Sequence, residues 1–226
     1  EIIIFDKESS DNTVQICRKL GAIVISVPNT PKNEKGIELF GKIGSGKWCF
    51  FLTASDLVGE KLKNVIENAI KKQGVHAISL PYLAYNFGNY VQLNPFSQNS
   101  KVLLLRRNNV ALSTKVHEEI GYLKKKVLKI PQPAISDHES YVLHLANENI
   151  EEYFNKFPRY LEKEALSGKD LSIKENIMLF IKSILNALFL KPSYIFGLRG
   201  LLYTTAYLSY MFARFTVLTF NKHKKD

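Results

Sequence analysis

Apolar residues come first in short unbroken runs and later in helical stripes. Ile2-Ile3-Ile4-Phe5 predicts a buried strand over 1–5, and residues 22–27, Ala-Ile-Val-Ile-Ser-Val, predict a second. Between them, 13–20 read as a helix capped by Ser10 or Asp11 and stopped by Gly21. Trp48-Cys49-Phe50-Phe51-Leu52 is a third apolar run. Over 59–73 the residues Leu62, Val65, Ile66, Ala69 and Ile70 share one helical face, and a strand at 75–80 follows. This β-α-β succession predicts a parallel sheet whose ligands gather at the carboxyl ends of its strands, where Asp6 falls. The alternation weakens over 81–100, which is rich in Tyr, Asn and Phe. Strands at 102–105 and 127–130 then flank Lys115-Val116-His117-Glu118-Glu119, and 148–166 read as a helix bent at Pro158. Beyond Gly168 the pattern changes to an amphipathic helix over 175–190, a break at Lys191-Pro192 and a long apolar run over 200–220. The expected organisation is an α/β domain over 1–167 and a membrane-associating helical segment over 168–226.

Charge sharpens that last expectation. The chain of 226 residues carries 31 Lys and Arg against 21 Asp and Glu, a net charge of +10 that favours polyanions. From Lys174 onward there are eight Lys or Arg and two acids among apolar helices, a mixture that suits an anionic membrane surface better than nucleic acid. The run over 200–220 reaches the roughly twenty residues needed to cross a bilayer, but Arg214 at bilayer depth is costly. The segments 175–190 and 200–220, with Tyr203, Tyr207 and Tyr210, are therefore expected to lie in the interface as a helix pair; packing on the rest of the chain or on a second copy is the alternative. Two cysteines, Cys17 and Cys49, form neither a disulfide framework nor a zinc spacing and fit a reducing, cytoplasmic compartment. Glu1 leads straight into a strand with no signal-peptide pattern, and the lack of an initiator Met predicts a chain that starts partway into a longer one.

The candidate chemistry begins at Asp6-Lys7-Glu8-Ser9-Ser10-Asp11-Asn12-Thr13, which follows a strand and opens a helix. A carboxylate there can accept from ribose hydroxyls, and hydroxyls at a helix start cap it or line an anion site. An ordinary capped turn explains the same residues. The pattern Asp6, Ser9, Asp11, Thr13 resembles the nucleotide-binding turn of family-2 glycosyltransferases, which have the GT-A fold, a Rossmann-like α/β domain with a mixed, mainly parallel sheet. Gly46-Lys47-Trp48 before the third strand is similar to that family's approach to its Asp-x-Asp motif. Val116-His117-Glu118, and the later run with Tyr141, Tyr153, Lys156, Tyr160 and Glu164, resemble the branch containing lipopolysaccharide-core glucosyltransferases.

The resemblance implies inverting transfer of a sugar from a nucleotide-sugar donor to a lipid-linked or cell-surface glycan. It implies Glu118 as base, with His117 near the metal or diphosphate, and Asp6, Ser9, Asp11, Thr53, Ser55 and Asp56 around the donor. A divalent cation, Mg or Mn, would be held by Asp56 and His117. The chain departs from the family where Thr53 and Ser55 stand in place of acids, which weakens metal binding, and it lacks the family's first strand. A rival is a non-catalytic binding or scaffold protein that has lost its metal site. Gly41-Lys42-Ile43-Gly44-Ser45-Gly46-Lys47 imitates a phosphate loop but continues with Trp48 and precedes a strand, so it reads as a turn.

Overall fold

The computed structural model describes residues 1–29, 43–96, 99–111, 121–122, 126–166 and 172–220. It is a mixed α/β protein that divides into two units interleaved along the chain. One comprises Glu1–Leu52, Asn64–Leu80 and Val102–Pro131; the other Thr53–Lys63, Pro81–Lys101 and Gln132–Asp226.

In the first unit, β1 (Ile3–Asp6) and β2 (Ile23–Ser26) pair in parallel on either side of α1 (Thr13–Lys19). The β-α-β reading holds, with two corrections. These strands are not buried: Asp6 is the one buried residue of the pair, and Ile23 is exposed, as are Ile16 and Leu20 on and after α1. The N-cap is Asn12 rather than Ser10 or Asp11, although the Asp11 carboxylate accepts the Thr13 N–H at 3.0 Å. Gly21 stops α1 as expected. Its φ of +82° lets its N–H reach the Arg18 carbonyl and the Ala22 N–H reach the Cys17 carbonyl, both at 3.0 Å, a double closure that favours glycine.

The third apolar run forms β3 (Trp48–Phe50), which runs antiparallel to β6 (Ser100–Arg106). Trp48 lies opposite Arg106 in the register, and the guanidinium sits 5.0 Å from the indole centroid, so the pair favours this pairing. The short β9 (Val127–Lys129) is parallel to the start of β5 (Ala77–Asn86), and β7 (Val110–Ala111) is antiparallel to β8 (Gly121–Tyr122). Parallel pairing therefore does not dominate as expected.

Strand β5 is longer than its sequence suggests. It runs through Pro81 into the second unit, where the missing proline N–H leaves Tyr82 to donate to Asn99 at 3.0 Å. In that unit β10 (Val142–Asn147) is parallel to β5, and β4 (Asp56–Val58) is antiparallel to β10. Between β4 and β5 the chain forms α2 (Glu60–Ala69). Beyond β10, the expected bent helix is two helices, α3 (Ile150–Asn155) and α4 (Phe157–Leu166), with Pro158 in the first turn of the latter. A capping box between Ser172 and Glu175 starts α5 (Ile173–Leu185), a π turn over Asn186–Leu190 follows, and α6 (Gly197–Phe220) ends the described chain. Tyr203 of α6 is buried, accepting from the Asn86 N–H at 3.0 Å and sharing its hydroxyl between the Asn86 and Asn89 carbonyls. It thereby pins a two-residue turn in which Phe87 and Gly88 both have positive φ, 55° and 69°. Among the described residues no helix is long and apolar enough to cross a membrane.

Candidate functional site

Two groups of the sequence-derived residues are described, one in each unit, while the candidate base Glu118 and its neighbour His117 lie outside the described residues. In the first unit the turn after β1 is organised by Asp6 itself. Its carboxylate accepts the Ser9 hydroxyl at 2.5 Å and the Ser9 N–H at 3.2 Å. Each carboxylate oxygen has room for two donors, so Asp6 keeps acceptor capacity while Ser9 fixes its direction. Asp11 is exposed, and the Thr13 hydroxyl and N–H lower its pKa. Asp6, Ser9 and Asp11 therefore share one turn at the carboxyl end of a parallel strand.

Of the segment that imitates a phosphate loop, Gly41 and Lys42 lie outside the described residues, and residues 43–47 bend into β3 rather than opening a helix. Gly44 has a φ of +94°, and the amides of Ser45 and Gly46 point at the protein's own Glu1 carboxylate, with the Gly46 bond at 3.0 Å. Those backbone bonds lower the Glu1 pKa. Lys47, Arg106, Arg107 and Asn108 line a basic cleft of about 390 Å³ beside it. Arg107 is committed to the turn, donating to the carbonyls of Gly46 at 2.8 Å, Ile43 at 3.2 Å and Gly44.

In the second unit Thr53, Ser55 and Asp56 come together, and the structure adds two residues that the sequence reading missed. Asp56 opens β4 and faces His144 of β10 directly in the register. His144 in turn faces Ala84 of β5, and side chains two apart on a strand share a face, so Tyr82 joins the same side. The Asp56 side chain is only 1% exposed. One oxygen accepts from the His144 imidazole at 2.8 Å and the Tyr82 hydroxyl at 3.2 Å; the other accepts from the Thr53 N–H at 2.7 Å and its hydroxyl at 2.9 Å. Burial works against ionisation, but the bonds from His144 and Thr53 outweigh it and hold the Asp56 carboxyl down at about 2. Burial and the Asp56 charge together push the Tyr82 hydroxyl far up. His144 stacks on Tyr82 with ring centroids 5.6 Å apart, and Lys101 lies 5.2 Å from the other ring's centroid. Ser55 meets the Thr53 hydroxyl at 3.2 Å and His144 at 3.4 Å.

This arrangement does not fit a divalent cation. All four acceptor positions of Asp56 are filled by protein donors, and the Thr53 and Ser55 hydroxyls are bonded within the same cluster. Among the described residues no group of three or more His, Cys, Asp or Glu could hold a metal ion. Asp56 instead ties edge strand β4 to β10 and β5.

The chain matches no protein-family model and no curated protein sequence.

Proposed function

We propose that this chain is an inverting glycosyltransferase of the family-2 kind, moving a sugar from a nucleotide-sugar donor to a lipid-linked or cell-surface glycan at the cytoplasmic face of a membrane. The observation that supports it most is Asp6: a buried carboxylate with acceptor capacity to spare, oriented by Ser9 at the carboxyl end of a parallel strand in a β-α-β unit. Open α/β sheets bind nucleotides at the carboxyl ends of their strands, and this reading extends that preference to the two-stranded β1–β2 sheet. In this reading Asp6 accepts from the donor's ribose or base, with Ser9 and Asp11 beside it. Glu118, assigned by resemblance, takes the proton of the acceptor hydroxyl as its oxygen displaces the nucleoside diphosphate.

Calorimetric titration with UDP, GDP and their glucose conjugates, with and without manganese, tests it. Nucleotide binding that is indifferent to manganese and lost in Asp6→Ala supports the proposal; no binding of any nucleotide in either condition overturns it. The closed network around Asp56 favours a second reading, a binding or scaffold protein of the same ancestry. That protein would bind nucleotide yet never release UDP from a donor, with or without glycan acceptors.

A further inference from the structure

We infer that the turn joining α5 to α6 is a wedge that seats the protein on an anionic lipid surface. The turn is firmly built. The Lys191 N–H closes on the Asn186 carbonyl at 2.7 Å, and the Ser193 hydroxyl is buried against the Gly200 carbonyl at 3.1 Å and the Thr204 hydroxyl at 2.8 Å. A Cβ on Gly200 would lie 1.7 Å from the Ser193 carbonyl oxygen, so the turn's backbone rests directly on α6. With the Ser193 hydroxyl turned inward, the segment leaves apolar side chains exposed: Phe189 and Leu190 are each 72% exposed, Ile195 59% and Leu198 83%. Four large apolar side chains left this exposed within ten residues of one turn point to an interaction site.

Charge identifies the occupant. Lys191 and Arg199 stand within the turn and the first turn of α6, and from Asn176 to Phe220 the chain has no Asp or Glu. A second copy would bring the same positive surface and be repelled, whereas an anionic bilayer offers acyl chains to the apolar residues and head groups to the cations. The place of this contact differs from the flat helix pair expected from sequence: α6 commits Tyr203, Thr204 and Ala206 to the interior, where the Ala206 carbonyl accepts the Tyr153 hydroxyl at 2.8 Å, so the tip and the first turn of α6 make the contact.

The inference shares only the membrane placement with the proposed function and holds whether or not sugar is transferred. The experiment is co-sedimentation of the full chain with phosphatidylcholine vesicles, with and without phosphatidylglycerol. The chain should bind the anionic vesicles, less strongly as salt rises, and the double variant Phe189→Ser, Leu198→Ser should bind about tenfold more weakly. Leu198→Trp, in the otherwise native chain, should be quenched by brominated acyl chains while Trp48 alone is not. Vesicle binding unchanged by the double variant, no binding, an unquenched Leu198→Trp, or a concentration-dependent dimer abolished by the double variant would each overturn it. Nucleotide titration of the same preparations reads the sugar-transfer proposal separately, since vesicle-defective variants keep their nucleotide affinity.

Discussion

Replacing Asp56 by Asn should remove an acid-sensitive component of stability while preserving the side chain's shape. The folded protein holds this carboxyl at about 2 against an ordinary 3.8, with burial opposing the charge and the bonds from His144 and Thr53 prevailing. A carboxyl whose pKa is lower in the folded state than in the unfolded chain contributes stability that is complete above about pH 4 and disappears as pH falls through about 2. The gap is worth about 2 kcal/mol. Urea denaturation of the native chain and of Asp56→Asn, run at intervals between about pH 5 and about pH 2, measures it. The native chain should lose about 2 kcal/mol more than the variant over that interval, so the difference between them shrinks on acidification. Parallel losses would refute the reasoning, because the Asp56 carboxyl would then titrate alike in both states.

Gly59→Ala should destabilise the protein by about 3 kcal/mol in urea denaturation: the new Cβ would lie 2.2 Å from the Glu139 carbonyl oxygen and 2.4 Å from its carbon, backbone atoms that no side-chain rotation relieves. Tyr203→Phe should cost about 2 kcal/mol and speed amide exchange at Asn86, whose buried N–H loses its acceptor. Ser172→Ala removes half of the capping box at the start of α5 and should lower thermal stability by about 1 kcal/mol, measured by calorimetry.

Local signals carried the first unit's β-α-β segment, because runs of β-branched residues and a helix-stopping Gly21 are visible within a few positions. Elsewhere they misled. Pro81 reads as a strand breaker, yet β5 continues through it because Tyr82 supplies the next ladder bond. Strand β10 went unseen, although Tyr141-Val142-Leu143 is a strand-forming run that follows the polar stretch 135–140. His144 had no local signal, since its partner Asp56 lies 88 residues away and only strand register brings them together. The importance of Asp56 was legible and its job was not: a carboxylate near a strand end can bind a cation or hold a sheet edge, and its four donors decide between them.

That closed circle of donors around Asp56 also acts as an evolutionary ratchet. Changing Thr53 alone to Asp would delete two of the four donated bonds if the backbone moved, and would set a second negative charge against a carboxylate already held ionised. Changing Ser55 alone would place that charge beside the same pair. Each single step towards a carboxylate pair passes through a less stable protein, so a lineage that has adopted this network reaches cation chemistry only through substitutions that arrive together.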